Sequence, residues 1–446
     1  MPKAKYTLAT LTLAYVFSIM DRQLLTLLVG PIQADLQISD TLVGLLHGFT
    51  FALFYGLVGL PIARLVDRGN RRLLISSGIL LWCVATAASG FASTYMHLLI
   101  ARVFVAVGEA VLLPAAISLI ADIFTPQNRH KALGVFGAGG PFGAGFGLLV
   151  GGLLLATLPS LLNALPLGQS FSSWQLTFVV IGSSGIIVAA MMFFSFEPRE
   201  QGLSGSPSAQ TRDRVSTRSL VTFMREHKVT YVGVLIGSSF FYLSVYGAST
   251  WIPSYFVRSH HWQYSTFGMV FGSLLCVIGP VGAYFGSALG AQLESRGYSQ
   301  PNLKAAALGS LALFVCTCGV ILSPSATLAL LFLSGNAVFW FFLFGLGPGL
   351  VLDIAPESMR GQVMALFTGL LNLIGAGSGP VAVGYISDHY FTEGNGLGVA
   401  ILITAVISVV VSLSLFYLAS KQFSQTQTAA LAARDPGINF MAPQSR

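Results

Sequence analysis

The sequence predicts an all-α membrane protein, with twelve transmembrane helices arranged as two pseudo-symmetric bundles of six. Three observations predict it: a composition that is 54% apolar and only 9% charged, twelve apolar stretches long enough to span a bilayer, and a motif that occurs in both halves of the chain. An average soluble domain carries roughly 25% charged residues. The chain therefore has too little charge to cover a surface that faces water on all sides.

The twelve apolar stretches follow one another along the whole chain, and Gly, Pro and charged residues separate them. They lie near residues 7–29, 41–63, 73–92, 98–121, 131–156, 174–196, 229–257, 264–290, 303–322, 326–350, 361–387 and 397–419. The longest polar interruption follows the sixth stretch. It divides the chain into a first bundle (1–196), a cytoplasmic linker (197–228), a second bundle (229–420) and a polar cytoplasmic tail (421–446).

The basic residues predict how the chain is oriented. Of the 23 Lys and Arg residues, Arg22 and Arg102 lie within predicted helices. If both termini are cytoplasmic, Arg258 lies in a loop on the opposite side of the membrane, and all the other Lys and Arg residues fall in tails and cytoplasmic loops. This is the distribution that membrane insertion favours. We therefore predict a multi-pass protein of a cell membrane, with the bacterial inner membrane favoured. The net charge of +7 reflects topology, and no nucleic-acid partner is expected.

A repeated motif relates the two halves. After predicted helix 4, Asp122 is followed seven residues later by Arg129, and after predicted helix 10, Asp353 is followed at the same spacing by Arg360. A glycine-rich helix comes next in both places. Two related six-helix halves are typical of transporters whose substrate lies at the membrane midplane between the repeats.

Nothing in the sequence indicates an enzyme, a cofactor or a metal site. The four cysteines lie inside apolar stretches, and the chain has no His-Glu-x-x-His, Gly-x-Ser-x-Gly or paired-aspartate motif. The glycine-rich stretches follow no strand, so they do not predict a phosphate-binding loop. A non-transporting sensor with a transporter fold is the competing class, although such a protein usually carries a larger soluble output segment than this linker and tail provide.

Four charged residues are predicted to lie well inside the membrane: Asp21, Arg22, Arg102 and Glu109. A charge at the bilayer centre costs roughly 2.5–3.5 kcal/mol or more, so it is rarely present without a purpose. All four belong to the first half. This asymmetry predicts that the first bundle handles ion coupling while the second supplies an apolar binding surface.

Helical geometry suggests how these charges meet. Arg102 and Glu109 are seven residues apart, hence on one side of helix 4, whereas Asp21 and Arg22 are about 100° apart around helix 1 and cannot pair cleanly with each other. We expect Asp21 to face Arg102, with Glu109 deeper in the membrane. Asp21 and Glu109 are the predicted proton-coupling residues, and Glu109 is the stronger candidate because Asp21 has closer cationic neighbours. The alternative is a fixed ion-pair cluster that only ties the helices together.

His47, in the outer third of helix 2, is a further candidate. It is placed to relay protons or to contact the substrate, together with Arg22 and Arg102 as head-group or ion-pair residues. A single membrane histidine equally serves as a hydrogen bond between helices.

Aromatic residues in the second half predict an apolar cavity wall. We single out Tyr242, Tyr246 and Trp251 in helix 7, and Phe339 and Trp340 in helix 10. An apolar wall opposite a charged half suits a molecule with a tail and a head group. Consecutive aromatic residues point in all directions around a helix, so some of them pack between helices or face lipid instead.

The loop between helices 2 and 3 carries a more specific signal. It contains Asp67, Arg68, Arg71 and Arg72, and this pattern resembles the signature that the major facilitator superfamily has at this loop. Where that signature has glycine, this chain has Ala63 and Asn70. Asparagine tolerates a left-handed turn better than other non-glycine residues, so the bend is expected to be kept.

The resemblance implies an inner gate at this loop. In the superfamily the aspartate helps to close the gate by pairing with a nearby arginine and a helix N-terminus. By resemblance, Asp67 would pair with Arg129, and Arg68, Arg71 and Arg72 would belong to the same gate.

Within the superfamily, the chain resembles the spinster-type transporters over about residues 7–420. The residues that carry this resemblance are Met20, Asp21 and Arg22 in helix 1, the loop Asp67–Arg72, and Arg102, Gly108, Glu109 and Ala110 in helix 4. It implies proton-coupled alternating access and an amphipathic substrate such as a lysophospholipid or a sphingolipid-like molecule. The alternative is a proton-coupled transporter of small organic anions such as carboxylates or sugar phosphates. The expected partners are the lipid bilayer, the substrate and protons, and we expect a monomer to suffice.

Overall fold

The computed structural model describes residues 2–164, 171–198, 217–391 and 395–433, and it confirms the predicted all-α membrane fold. Within these residues there are twelve helices long and apolar enough to cross a membrane, and no strand. In chain order they are α1 (Pro2–Leu36), α2 (Asp40–Arg68), α3 (Arg71–Ser89), α4 (Tyr95–Ile123), α5 (Pro126–Ala164), α6 (Ser173–Phe193), α7 (Lys228–His260), α8 (Tyr264–Ser295), α9 (Pro301–Leu322), α10 (Ala326–Ile354), α11 (Glu357–Tyr390) and α12 (Gly396–Ala432).

Two segments predicted as polar linker and tail contain more helix than expected. α12 continues past Lys421 to Ala432, because its Gln, Ala and Lys residues keep a helix going without an apolar environment. The chain before α7 forms a short helix, Thr217–Glu226, which we call the linker helix. Phe223 of this helix packs edge-on against Tyr231 of α7, with ring centroids 6.2 Å apart. The rest of the predicted linker and tail, 199–216 and 434–446, lies outside the described residues.

Each half of the chain packs mainly on itself. In the first half, α1 packs along α5, and α3 packs against α4 and α6. In the second half, α7 packs along α12 and α11, and α9 packs against α10. Large side chains fill both bundles: Trp82 and Trp174 are buried in the first, and Phe271 and Tyr255 in the second.

The two halves meet along two seams, α5 against α8 and α2 against α11. Both depend on glycine. A Cβ atom at Gly145 would lie 2.7 Å from the carbonyl carbon of Leu275 across the α5–α8 seam, and one at Gly48 would lie 2.6 Å from the carbonyl oxygen of Ala376 across the α2–α11 seam. The main chains therefore approach too closely for any larger residue at these positions.

A polar cluster joins the two halves of the chain where α1 ends and α2 begins. Arg258 of α7 donates to Asp40 at 2.8 and 2.9 Å, and to Gln33 at 3.0 Å. Asp388 of α11 accepts the main-chain N–H groups of Asp40 and Thr41 at 3.1 and 2.7 Å, so a carboxylate of the second half caps a helix of the first. We call these five residues the latch, this end of the molecule the latch face, and the opposite end the basic face.

Several membrane helices are interrupted near their middle. α2 contains a π-helical turn at Leu45–Phe49, and α11 contains one at Leu371–Gly377, and the two turns touch across their seam. α4 breaks directly after Glu109, and α10 breaks directly after Trp340. Such irregularities are frequent at functional sites because they redirect side chains and free main-chain groups.

Candidate binding site

The buried charges of the first half form two ion pairs. Arg102 of α4 donates from Nη1 to Oδ2 of Asp21 on α1 at 2.9 Å, and both side chains are 3% exposed. The other carboxylate oxygen of Asp21 accepts a hydrogen bond of 3.0 Å from Thr86 on α3. This pair has the geometry that the sequence predicted for helices 1 and 4.

The second ion pair joins Arg22 to Glu109. Arg22 donates from Nε and Nη2 to Glu109 Oε2 at 2.8 and 2.6 Å, and the hydroxyl of Ser18 donates to the same oxygen at 2.7 Å. The Glu109 side chain is fully buried. The sequence argument that Asp21 has closer cationic neighbours than Glu109 is therefore wrong, because each carboxylate holds one arginine. The argument counted sequence neighbours, and the long Arg22 side chain reaches across to α4.

Aromatic rings cover both guanidinium groups. The Arg22 guanidinium lies 4.1 Å from the ring centre of Phe51 and 5.5 Å from that of Tyr55, both on α2. The Arg102 guanidinium lies 4.9 Å from the ring centre of Phe178 on α6. Rings at these distances attract the cation and reduce the cost of holding it away from water.

A cavity lies between the two halves, next to these pairs. Its wall is formed by Tyr15, Ile19, Arg22, Gln23, Leu25, Thr26, Leu46, His47, Gly48, Phe51, Arg102, Gly140 and Ala144 of the first half, and by Val245, Tyr246, Ser249, Trp340, Phe341, Phe344, Asn372 and Ala376 of the second. Arg22 and Arg102 line the cavity, whereas their partners Asp21 and Glu109 do not. The cavity therefore presents the two cations and keeps the two carboxylates behind them.

Some polar atoms beside the cavity have no hydrogen-bond partner among the described residues. Arg102 uses Nη1 for Asp21 and leaves both Nε and Nη2 unpaired, and His47 leaves Nε2 unpaired. On its other ring nitrogen, His47 lies 3.5 Å from the hydroxyl of Thr250 on α7. Nε and Nη2 form the edge of the guanidinium that binds two oxygens of one group at once. A ligand with two parallel oxygens matches this edge.

The five predicted wall aromatics separate into two groups. Tyr246 and Trp340 line the cavity. Trp251 is fully buried and donates to the carbonyl of Pro380 at 2.9 Å, Tyr242 packs with Tyr246 at a centroid distance of 5.7 Å, and Phe339 packs against other rings of α8 and α10. These three lie outside the cavity wall, because neighbouring residues of one helix cannot all face the same space.

Several wall residues were not expected from the sequence. Phe341 reaches the cavity from the break in α10, Phe344 from the second segment of that helix, and Asn372 from the π-helical turn of α11. The aromatic run in helix 10 was visible in the sequence, but no sequence signal indicated which of its members face inward.

On the basic face, Arg71 is the centre of the predicted gate loop. Its fully buried guanidinium donates to Asp122 at 2.6 Å and to Glu197 at 2.6 Å, and its Nη1 also reaches Ser118. It thereby ties the start of α3 to the end of α4 and to the segment after α6. Glu197 was not predicted, because its role depends on a contact 126 residues away in sequence.

The other gate residues are arranged differently from the expected left-handed turn. Asn70 has φ −77°, an extended conformation, and its side-chain oxygen accepts the N–H of Leu73 at 3.0 Å, so it caps α3. Arg129 donates to the carbonyl of Ala121 at 2.7 Å. Arg72 lies 5.6 Å from the ring centre of Phe193. Asp67 and Arg68 lie in the last turn of α2, and the pairing of Asp67 with Arg129 stays a prediction.

Within the described residues, no three His, Cys, Asp or Glu side chains lie close enough together to hold a metal ion. What the site offers is two arginines beside an open cavity, two hidden carboxylates, and an apolar wall. It can bind an anion, and its carboxylates and His47 are groups that can take up a proton.

Comparison with known proteins agrees with this architecture. The family model described as Major Facilitator Superfamily matches residues 11–380. The chain is 24% identical over 395 residues to the Sphingosine-1-phosphate transporter SPNS2 of Danio rerio, covering 85% of this chain and 75% of that protein. It is 24% identical over 388 residues to the Probable L-galactonate transporter of Escherichia coli K12, covering 84% and 81%.

Among solved structures, the chain is similar to a bacterial homologue of the human lysosomal transporter Spinster, in an inward-facing and unoccupied conformation. The TM-score is 0.76 and the sequence identity 25%, and the similarity covers 98% of this chain and 100% of that one.

Proposed function

Because the chain belongs to the Major Facilitator Superfamily, a family of multi-pass membrane transporters, we propose that it moves an amphipathic anion across the membrane by proton-coupled alternating access. The observation that carries this proposal is the placement of the four charges. Arg22 and Arg102 line the cavity, while Asp21 and Glu109 lie behind them. A cavity of this kind attracts negative charge and still holds groups that can take up a proton.

The head group of the substrate binds at Arg102. The unpaired Nε and Nη2 edge of this arginine fits a phosphate or a carboxylate, and the unpaired Nε2 of His47 supplies a further contact from α2. Both residues line the cavity. Buried donors without hydrogen-bond partners raise the free energy of the unliganded protein. A ligand that pairs with them therefore gains more binding free energy than one that binds an arginine already hydrated by water.

The tail of the substrate lies against the second half. Val245, Tyr246, Trp340, Phe341 and Phe344 form an apolar surface on that side, and no charged residue of the second half is part of the described wall. The division between a charged and an apolar side supports a lysophospholipid or sphingolipid-like substrate.

Proton coupling follows from competition for Arg22. The guanidinium holds Glu109 through two short hydrogen bonds, and Glu109 Oε1 has no partner among the described residues. When the head group that binds at Arg102 also draws Arg22, which lines the same cavity, away from Glu109, the buried carboxylate loses its counter-ion, and protonation is the cheaper way to keep it buried. Asp21, paired with Arg102, is the second group of this kind.

The same proposal covers the orientation of the chain in the membrane and its oligomeric state. The latch closes one end of the cavity, and the similar solved structure is inward-facing, so we assign the basic face to the cytoplasm and the latch face to the outside. Both termini are then cytoplasmic, in the membrane of a bacterial cell, and Arg71 with its partners belongs to the inner gate. One chain contains both halves of the site, which supports a functional monomer.

A second substrate class remains in contention because the free edge of Arg102 accepts a carboxylate as readily as a phosphate ester. In that reading the substrate is a small organic anion, such as a sugar acid, and the apolar wall only excludes water. The relative that is described as a probable L-galactonate transporter supports this alternative.

Competition in proteoliposomes tests the proposal. We expect lysophosphatidic acid to be taken up along an imposed pH gradient, and lysolipids to compete with it at concentrations where gluconate and glucose 6-phosphate do not. Arg102→Gln should lower uptake by roughly 10²-fold or more, whereas Arg102→Lys should keep part of it, because it retains the charge but loses the two-donor edge. Strong competition by gluconate and none by lysolipid would overturn the amphipathic substrate in favour of the small anion.

A further inference from the structure

A narrow side pocket, too tight for a water-sized group while the indole of Trp340 is in place, lies directly behind the cavity. Its wall consists of Gln23, Thr26, Leu148, Ser249, Pro253, Phe267, Phe271 and Trp340. Four of these residues, Gln23, Thr26, Ser249 and Trp340, line the cavity as well. Trp340 is the largest of these four shared side chains and the apolar one.

The indole of Trp340 is held in place from inside the second bundle. Its Nε1 donates to Oδ1 of Asn336 at 2.5 Å, and the amide of Asn336 donates to the hydroxyl of Thr317 on α9 at 2.8 Å. Asn336 is fully buried. The ring of Trp340 also meets Phe271 edge-on, with centroids 5.6 Å apart. These contacts turn the polar edge of the indole inward and leave an apolar ring between cavity and side pocket.

The internal repeat gives this arrangement a counterpart in the first half. Trp340 stands thirteen residues before Asp353 and ends the first segment of α10, just as Glu109 stands thirteen residues before Asp122 and ends the first segment of α4. Thr317 corresponds in the same way to Thr86, which bonds Asp21. At equivalent positions of the repeat, the first half therefore has the ionisable Glu109 and the second half the aromatic Trp340.

We propose that Trp340, fixed by Asn336, limits the length of the apolar chain that the substrate carries. Asn336 is a positioning residue: it acts on the substrate through the indole that it holds. This inference rests on the proposed function, since a length limit matters only for a substrate with an apolar chain. If the ring is released or removed, the space that it leaves joins the cavity to the side pocket, and the apolar chain extends into this space toward Leu148, Phe267 and Phe271.

Binding of a series of alkyl phosphates tests this limit. Isothermal titration of the purified protein in detergent micelles, from methyl to dodecyl phosphate, measures how affinity changes with chain length, and Arg102→Gln protein corrects for partition into the micelle. Each methylene that enters an apolar space tightens binding by about fourfold. In the parent we expect this increase to stop at a definite length. In Trp340→Ala it should continue for at least two further carbons.

The variants of Asn336 separate positioning from mere stability. Asn336→Leu should move the limit in the same direction as Trp340→Ala, with the affinity for methyl phosphate unchanged. Added to Trp340→Ala, it should move the limit no further. Trp340→Phe covers the case in which the alanine variant does not fold. Phe339→Ala removes the neighbouring ring, which packs against Phe285 and Phe342 away from the cavity, and should leave the limit where it is.

An unchanged limit in folded Trp340→Ala or Trp340→Phe protein would overturn the proposal, as would a loss of affinity that is the same at every chain length. Failure of the proposed function looks different: the parent would then bind all chain lengths equally, or bind them regardless of Arg102.

Discussion

Arg22 and Arg102 illustrate how single residues carry a charge inside this fold. Each guanidinium has a carboxylate on one side and an aromatic ring on another, so neither is left with lipid alone. Buried ion pairs of this sort add little to the free energy of unfolding compared with an apolar replacement of both residues. Removing one partner nevertheless lowers that free energy strongly, because the other charge stays buried. The pairs are therefore better suited to switching than to stabilising.

Asp21→Asn alone should destabilise the protein more than a double variant that replaces both Asp21 and Arg102. The substitution leaves the Arg102 guanidinium buried without its counter-ion, which costs about 3–5 kcal/mol of unfolding free energy. The double variant Asp21→Asn/Arg102→Gln should regain part of that loss. Thermal unfolding in detergent measures the cycle. Thr86→Val serves as the control, because it removes one hydrogen bond to Asp21 and no charge; strictly additive losses would contradict a coupled pair.

The sequence was informative about which charges are buried, and less so about their partners. Asp21 and Arg102 were expected to face each other, since helix spacing places them at similar depth. The bond between Arg22 and Glu109 was not, because it depends on the direction in which a long side chain crosses between helices. Glu197 was missed for a similar reason, since no local pattern connects it to Arg71.

At the scale of elements, apolar length predicted the existence of every membrane helix but not its ends. The bilayer determines how many apolar residues are needed, whereas the helix continues for as long as propensity and packing allow, as in α12 beyond Lys421. The break after Glu109 has a local cause, because Pro114 has no N–H to donate to the carbonyl of Ala110 four residues earlier. The break after Trp340 has no proline within the next four residues, so this rule does not predict it.

The α5–α8 seam gives a prediction with a control in the same helix. Gly145→Val should prevent the close approach of α5 to α8, because even a Cβ at this position would lie 2.7 Å from the Leu275 main chain. Uptake in proteoliposomes should fall by roughly tenfold or more, and thermal stability should fall with it. Gly134→Val, where a Cβ meets nothing within 4 Å, should leave both unchanged. Equal effects of the two substitutions would mean that the seam does not depend on glycine.

Over the whole molecule, two related halves share one framework and differ in chemistry. Asp122 is paired with Arg71 in the first half, whereas the corresponding Asp353 is paired with Asn302 in the second at 2.8 Å. The charged and apolar sides of the cavity repeat this contrast. In the proposed alternating access, the halves separate at the latch face while they close at the basic face, so we expect the latch to break in each cycle.

Weakening the latch should shift the protein toward the state that is open at the latch face. Arg258→Gln removes both hydrogen bonds from the guanidinium to Asp40, and a partly exposed pair of this kind is worth about 1 kcal/mol, or roughly a fivefold change in the ratio of the two states. Spin labels at Ala34→Cys and His261→Cys measure the opening in a cysteine-free background. His389→Gln, next to Asp388 but bonded within its own helix, should not move the distance distribution. No change in Arg258→Gln would show that the seams alone hold this end closed.

The central claim is that a proton on Glu109 drives transport, and Glu109→Gln tests it most directly. Proteoliposomes with an imposed pH gradient measure accumulation of lysophosphatidic acid, and exchange of labelled for unlabelled substrate without a gradient measures whether the halves still alternate. We predict that the parent accumulates substrate against its concentration gradient, while Glu109→Gln exchanges it but does not accumulate it, because an amide cannot bind and release the proton. If Glu109→Gln accumulates substrate as the parent does, Glu109 is not the coupling residue, and the proposed mechanism is wrong.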